Sequence, residues 1–337
     1  MNNLNTSLEF SHFPVLLNEI VKLCQTKQGG NFLDCTFGGG GYSKEILKIP
    51  NTKVTALDRD LFVSKFAKKL KKKYPKRFNF YTEKFSNLES TIKNQTFDVI
   101  IFDLGVSSFQ IKDYSRGFSF KSNDKLDMCM GLSSLSAEYV INNFDEQDLK
   151  LIIKVFGDEK EASKIAKNII IQRAINKISR VKELVKIIEL SKKKDFKKKI
   201  NISTKTFQAL RIFVNKETTE LIEGISKAAK YLKPDGKLIV VSFHSIEDKI
   251  VKFYFKNYSS NKSKPSRYLP EEKNEDQSLF KNYKNKIIKA SSEELEKNHQ
   301  SRSAKLRFAI RNNNKFLLPS EIKLKFKKYL EIEKIHA

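Results

Sequence analysis

Cysteine and arginine are both scarce in this chain of 337 residues. There are three cysteines, Cys24, Cys35 and Cys129, and ten arginines against 55 lysines. Three is an odd number, and the spacings match no metal-ligand pattern, which excludes a disulfide framework and a zinc site. All three are expected as buried free thiols, and no metal ligands are assigned. No apolar run approaches the ~18–20 residues that span a bilayer. The start, Met1-Asn-Asn-Leu-Asn-Thr-Ser7, has neither a basic cluster nor an apolar signal segment, so a cytoplasmic protein is expected. Acids are short as well: 39 Asp and Glu face 65 Lys and Arg, leaving a formal charge of +26. A field of that sign attracts polyanions, above all nucleic acid. A lysine excess also follows from AT-rich coding, so each arginine beside a motif is more informative than any lysine.

Glycine is sparse too, with 12 in all, yet four are consecutive. They lie in Asn31-Phe-Leu-Asp34-Cys-Thr-Phe-Gly38-Gly-Gly-Gly41-Tyr42-Ser-Lys-Glu-Ile46, between a strand-like and a helix-like stretch. Glycines there permit positive φ and close approach of a ligand to the backbone. The run matches neither a spaced G-x-G-x-x-G nor a P-loop, so alone it leaves a glycine-rich surface turn as the lesser alternative. Asp34, ending the strand, would repel a pyrophosphate but suit a cationic ligand such as S-adenosylmethionine. Asp58 ends a second strand 20 residues after Gly38, the spacing at which an acid reaches ribose hydroxyls in nucleotide-binding α/β folds.

Strand-like runs at 31–37, 54–58, 78–81 and 97–103 alternate with helical patterns, the signature of a parallel sheet covered on both faces. The alternation lapses after Leu104 and gives way to helical periodicity from Ser133 to about Lys193. It resumes with a single helix expected over 206–231, strand 237–243, helix 246–255 and a final strand at 303–310. An α/β domain formed by residues 1–107 and 205–312 is therefore expected, interrupted by a mostly helical insertion at 108–204. Residues 259–284 read as a polar loop, and the basic run 192–199 as a solvated linker or an RNA contact. The tail at 313–337 reads as a surface helix. Asp34, Asp58 and Asp103 each end a strand and are expected to meet at one crevice.

The run Phe97-Asp-Val-Ile-Ile-Phe-Asp103-Leu-Gly-Val-Ser-Ser-Phe-Gln110 leads into Tyr114-Ser-Arg116-Gly-Phe118-Ser-Phe120 and Leu126-Asp-Met128. With His12-Phe-Pro-Val-Leu-Leu-Asn-Glu19, Lys205-Thr-Phe-Gln-Ala-Leu-Arg211-Ile-Phe-Val-Asn215, Val241-Ser-Phe-His244-Ser-Ile-Glu-Asp248 and Arg302-Ser-Ala-Lys-Leu-Arg307, the chain resembles the ribosomal RNA small subunit methyltransferase H family from about residue 12 to 311. That resemblance implies a Rossmann-like class I S-adenosylmethionine-dependent methyltransferase with an inserted helical domain. It implies methylation of the N4 amine of a cytosine in the decoding region of 16S ribosomal RNA, within the small subunit, by a monomer or homodimer away from membranes.

Cofactor contacts implied by the resemblance are Gly40, Gly41, Tyr42, Asp58, Phe85, Asp103 and Gln110. Asp103 is also the candidate to take up the amine proton, because an amine conjugated to a ring is a poor nucleophile that a nearby acceptor assists. Arg116, Arg211, Arg302 and Arg307 are candidates for phosphate, His244 for substrate, and Phe118 and Phe120 for base stacking or core. Three positions depart from the family: Tyr42 stands where histidine is usual, Cys35 where glycine is, and Phe109 where proline is. Other classes consistent with the residues are a small-molecule or other RNA methyltransferase and a non-catalytic RNA-binding protein. A NAD-dependent oxidoreductase is disfavoured by Asp34.

Overall fold

The computed structural model describes residues 14–133, 135–192, 201–260 and 278–336. Six strands form one sheet: β1 (Gly30–Asp34), β2 (Thr52–Asp58), β3 (Phe78–Thr82), β4 (Phe97–Asp103), β5 (Leu232–Ser242) and β6 (Lys305–Ile310). Their order is β3-β2-β1-β4-β5-β6; all neighbours are parallel except β6, which runs antiparallel to β5. Its parallel strands are those expected from the alternation, and the architecture is the Rossmann-like one that the resemblance implies. The antiparallel edge strand is not legible in sequence, because a β6 of six residues carries no mark of direction. Phe32, Leu33, Ile100, Ile101, Phe102, Leu238, Ile239 and Val240 are buried on both faces, which is why the central strands read as unbroken apolar runs.

Helices α1 (Leu17–Cys24), α2 (Gly41–Leu47), α3 (Ser64–Lys73) and α4 (Leu88–Ile92) accompany the first half of the sheet. Between β4 and β5 come α5 (Ser108–Lys112), α6 (Ala137–Asn143), α7 (Glu146–Gly157), α8 (Ala162–Ile175), α9 (Val181–Ser191), α10 (Thr204–Asn215) and α11 (Glu217–Ala228). Helix α12 (Ser245–Asn257) follows β5, α13 (Ser292–Lys297) precedes β6, and α14 (Glu321–Lys325) and α15 (Lys327–Ile332) form the tail. Helix α7 packs on α8 and α10, and Phe144, Leu149, Ile152, Phe156, Ile165, Ile169, Leu184 and Phe213 are buried there. No helix among the described residues is long and apolar enough to cross a membrane.

Three local expectations need correction. The helix expected over 206–231 breaks at Lys216, whose φ is +49°. The preceding Asn215 is pinned from outside the helix: its Oδ1 accepts from Met130 N (2.8 Å) and Ser133 Oγ (2.7 Å), and its Nδ2 donates to Met128 O (2.8 Å). Tertiary hydrogen bonds end the helix where periodicity alone would continue it. The polar segment 259–284 falls largely outside the described residues, but its described end buries Leu279, Phe280 and Tyr283 beneath α12. The tail is not one helix lying on the surface. It is two short helices that bury Ile322, Phe326 and Ile332 against the rest of the molecule, because its apolar positions find a groove between α11, α12 and α7. Apart from Lys192, which donates to Glu159 Oε2 (2.5 Å), the basic run lies outside the described residues.

Candidate active site

Above the carboxyl ends of β1, β2, β4 and β5 lies a cavity of about 320 Å³, walled by the glycine turn, the loop after β4, and residues of α10, α11 and α12. That volume suits a small-molecule site. Strand register sets its floor. Asp34 sits opposite Ala56 and Ile101, and Asp103 opposite Val241, so the strand ends finish near one level.

Asp34 does not reach the cavity. It is 1% exposed; Ser43 Oγ donates to its Oδ2 (2.6 Å) and Thr36 N to its Oδ1 (3.3 Å). It braces the turn onto α2, and burial pushes its carboxyl up to about 6. The expectation that Asp34 selects the ligand by direct contact is therefore corrected: two of the three strand-end carboxylates, Asp58 and Asp103, line the wall. Asp58 accepts from Gly38 N and Asp60 N, both at 2.8 Å, and is likewise pushed up to about 6 by burial.

Asp103 is the most perturbed acid at the cavity. Burial, reinforced by Asp34 and Glu247, carries it up to about 8 against the opposing hydrogen bond from Tyr42. Its Oδ1 is buried with no hydrogen-bond partner. Its Oδ2 lies 3.2 Å from the Tyr42 hydroxyl, which also lies 2.6 Å from Val15 O. A phenol has one proton. When it is donated to the Val15 carbonyl, a protonated Asp103 can donate to the Tyr42 oxygen, and only an ionised Asp103 competes for the Tyr42 proton. Tyr42, at a position that departs from the family, thus holds the most basic carboxylate of the site.

The glycines divide their work. Gly38 and Gly40 have φ of +51° and +75°. Gly38, Gly39, Gly41 and Tyr42 line the cavity, but Gly40 does not. A Cβ on Gly40 would stand 2.7 Å from the Phe37 ring, on Gly39 2.7 Å from Phe109, and on Gly41 2.1 Å from Pro14. Most of this run therefore serves close packing of its own surroundings, and only at Gly38 would a Cβ meet no more than ordinary contacts, Ser107 Cβ and Thr36 O at 3.9 Å. Phe109 closes over Gly39 and packs against Phe66 (4.9 Å between centroids). Cys35 is buried, and burial holds its thiol well above the ordinary range, so it offers no nucleophile.

Phe85 lies at the cavity edge, packed against Phe102 (5.3 Å) and directly against α11 at Gly224, where a Cβ would come within 2.6 Å of the ring. The Gln110 side chain is buried and used at both ends: its Oε1 accepts from Ser107 N and its Nε2 donates to Asp60 Oδ2, both at 2.8 Å. Asp60 also pairs with Arg116, whose other terminal nitrogen donates to Cys129 O (2.8 Å). Arg116 is thus spent inside the protein. Arg307 is buried on Asp248 (2.8 Å), Tyr283 and Asn285 (3.0 Å each), which corrects its reading as a phosphate contact. Arg302 is exposed and makes no ion pair among the described residues. Phe118 and Phe120 are partly buried against the core; Phe118 lies under the Arg116 guanidinium and Phe120 meets Phe207 edge-on.

Arg211 lines the cavity and forms a two-pronged pair with Glu217, Nε to Oε1 at 2.8 Å and Nη2 to Oε2 at 2.9 Å. His244 occupies the N-cap position of α12 without capping through its side chain. Its Nε2 stands 3.1 Å from Glu247 Oε1, while Glu247 Oε2 accepts from Phe243 N (2.7 Å) and His244 N (3.3 Å). Despite burial, Glu247 is held below the ordinary carboxylate range by His244 and Arg211. Glu217, His244 and Glu247 are close enough together to hold a cation, but Arg211 already engages both oxygens of Glu217. Glu217, Glu220 and Glu247 were not singled out by the sequence, although Glu247 lies within the motif that contains His244 and Glu217 lies two residues beyond the motif that contains Arg211. Arg59 was also missed; it lines the cavity and ties it to the segment after α5 through Met130 O (3.1 Å) and Ser133 Oγ (2.9 Å), and to the end of α10 through Asn215 O (2.9 Å).

A model of the MraW methylase family matches residues 9–312. The ribosomal RNA small subunit methyltransferase H of Rickettsia massiliae is 43% identical over 301 residues, 89% of this chain and 97% of its own. That of Rickettsia bellii is 44% identical over 301 residues, 88% of this chain and 98% of its own. Among solved structures, an rRNA methylase from Streptococcus thermophilus aligns with 89% of this chain and 98% of its own, with a TM-score of 0.41 and 9% identity.

Proposed function

The chain belongs to the MraW methylase family, and from that premise we propose that it transfers a methyl group from S-adenosylmethionine to the N4 amine of a cytosine in the decoding region of 16S ribosomal RNA. The named activity of its relatives supports the ribosomal substrate, and the formal charge of +26 supports a polyanionic partner. One observation carries the chemistry: Asp103, with a buried unpartnered oxygen and a carboxyl pushed up to about 8, faces the cavity.

The residues present suit S-adenosylmethionine. A ligand bearing two positive centres and no phosphate relieves the cost of ionising Asp58 and Asp103 together. When bound, it supplies a methyl group activated by positively charged sulfur. Asp58 accepts from the ribose hydroxyls with the lone pairs left by Gly38 and Asp60. Phe85 packs on the adenine, and the backbone at Gly41 and Tyr42 borders the methionine end, while Gly40, set against Phe37, shapes the turn behind it. Gln110 holds the loop over the cavity through Ser107 and Asp60.

Asp103 takes the proton of the cytosine amine as the new bond to carbon forms. Burial makes Asp103 a stronger acceptor than an ordinary carboxylate, and the positive charge of the bound ligand keeps it ionised and able to take that proton. Tyr42 fixes its orientation, and the apolar wall of Leu104, Val106, Ile111 and Leu221 excludes water. Arg211 and His244 border the base, Arg302 is available to phosphate, and Arg116 supports the site through Asp60. The test is to incubate the protein with labelled S-adenosylmethionine and small ribosomal subunits that lack the mark, then digest the RNA. Label is expected in N4-methylcytidine. Label in any other nucleoside, or none, overturns the assignment.

A further inference from the structure

Helix α11 begins without a cap of its own. Lys216 precedes it in the left-handed conformation and makes no side-chain cap hydrogen bond, although the first N–H groups of a helix need acceptors. The acceptor comes from the far end of the chain. Glu333, 1% exposed, receives Thr218 N on Oε1 (3.0 Å), and Thr219 N (2.8 Å) and Thr219 Oγ (2.5 Å) on Oε2. One carboxylate thus satisfies two helix-end donors and places negative charge where the helix dipole favours it.

The capped turn is a wall of the cavity. Glu217, Glu220 and Leu221 line it, Glu217 holds Arg211, and Gly224, one turn after Glu220, packs directly on Phe85. The tail that delivers Glu333 lies beyond residue 312, where the family match ends. It is fastened along its length: Asn257 donates to Glu321 (2.7 Å), Lys323 pairs with Glu223 of α11 (2.6 Å), Phe326 meets Phe253 edge-on, Tyr329 packs on Phe156, and His336 meets Asp148 (2.9 Å). It therefore joins α12, α11 and α7.

We infer that Glu333 is a positioning residue for the active site, and that the tail is a strap holding the first turn of α11, with Glu217, Glu220 and Leu221, in the geometry that binds S-adenosylmethionine. The inference rests on the cofactor proposed above, and its test reads cofactor affinity, so it is independent of which nucleoside is methylated. Titration calorimetry with S-adenosylmethionine on the full chain is expected to show binding about tenfold weaker in Glu333→Ala, the size of a lost helix cap. Glu333→Gln, which keeps a single acceptor oxygen, is expected to fall between the two. Ile332→Ala loosens tail packing and leaves the carboxylate; it is expected to lower Tm yet bind within about twofold of the parent. Thr219→Val, which removes only the hydroxyl contact, serves should Glu333→Ala fail to fold, and is expected to weaken binding about threefold. Parental affinity in Glu333→Gln and Thr219→Val, or an equal loss in Ile332→Ala, overturns the positioning role. A parent protein that does not bind S-adenosylmethionine overturns the proposed function instead.

Discussion

A buried acid at this site works by what it is left to bond. Asp34 and Asp103 both end strands, but Asp34 has Ser43 and the Thr36 N–H, whereas one oxygen of Asp103 has nothing. At neutral pH a carboxyl near 8 is largely protonated, and a cationic ligand favours its ionised form. Binding of S-adenosylmethionine at about pH 7 is therefore expected to release protons, seen as a dependence of calorimetric heat on the buffer's ionisation heat. In Asp103→Asn that dependence should largely vanish, with turnover falling by about 10²–10⁴-fold. Full turnover with normal binding in the Asn variant would remove Asp103 as the acceptor. The Tyr42 hydroxyl lowers the Asp103 value. In Tyr42→Phe the rise of kcat/KM with pH is expected to move to higher pH. The Val15 carbonyl loses its partner in the same variant, costing about 1–3 kcal/mol of stability by urea unfolding.

At the scale of elements, the site depends on two interruptions. The turn after β1 bends through Gly38 and Gly40, and the long helical stretch between β4 and β5 breaks at Lys216. The glycine bend is legible because few other residues tolerate positive φ. The break is not: 206–231 keeps helical spacing throughout, and what stops the helix is Asn215 bonding to Met128, Met130 and Ser133, more than 80 residues earlier. The new helix α11 then approaches Phe85 so closely that Gly224 admits no side chain. Gly224→Ala is expected to cost about 1–3 kcal/mol in urea unfolding through overpacking and to weaken S-adenosylmethionine binding by displacing Phe85. A variant with parental affinity would show that Phe85 is no part of the cofactor's seat.

For the whole molecule, the concentration of buried acids sets a pH dependence. Asp34 and Asp58 are carried up to about 6, Glu333 to about 7 and Asp103 to about 8. Each is neutral in both states at low pH. As pH rises the unfolded chain ionises first, so the stability they contribute is lost as pH climbs through their folded values. Glu247 and Asp248 are held low by cationic neighbours, and their contribution is lost as pH falls through their folded values. The cofactor-free protein is therefore expected to lose stability from about pH 4, where the unfolded carboxyls ionise, to about pH 8, where the folded Asp103 does, with Tm falling across that interval in thermal scans. Saturating S-adenosylmethionine should flatten that fall. A Tm that rises with pH across the interval would contradict the burial of these groups.

The sheet, the strand-end placement of Asp58 and Asp103, and the family were readable from the chain, because periodicity, strand-end acids and long motifs are local properties, whereas Phe85 came only with the family resemblance. Asp34 was readable as a strand-end acid but not as one turned away from the ligand, since that depends on a hydroxyl nine residues later. The same holds for Arg116 and Arg307, whose acidic partners Asp60 and Asp248 lie more than 50 residues away. Only the tertiary structure decided which charges remain free, where α11 begins, and that Glu333 caps it. Hydrogen bonds and ion pairs between distant segments are made when the chain closes on itself, and no local pattern records the partner.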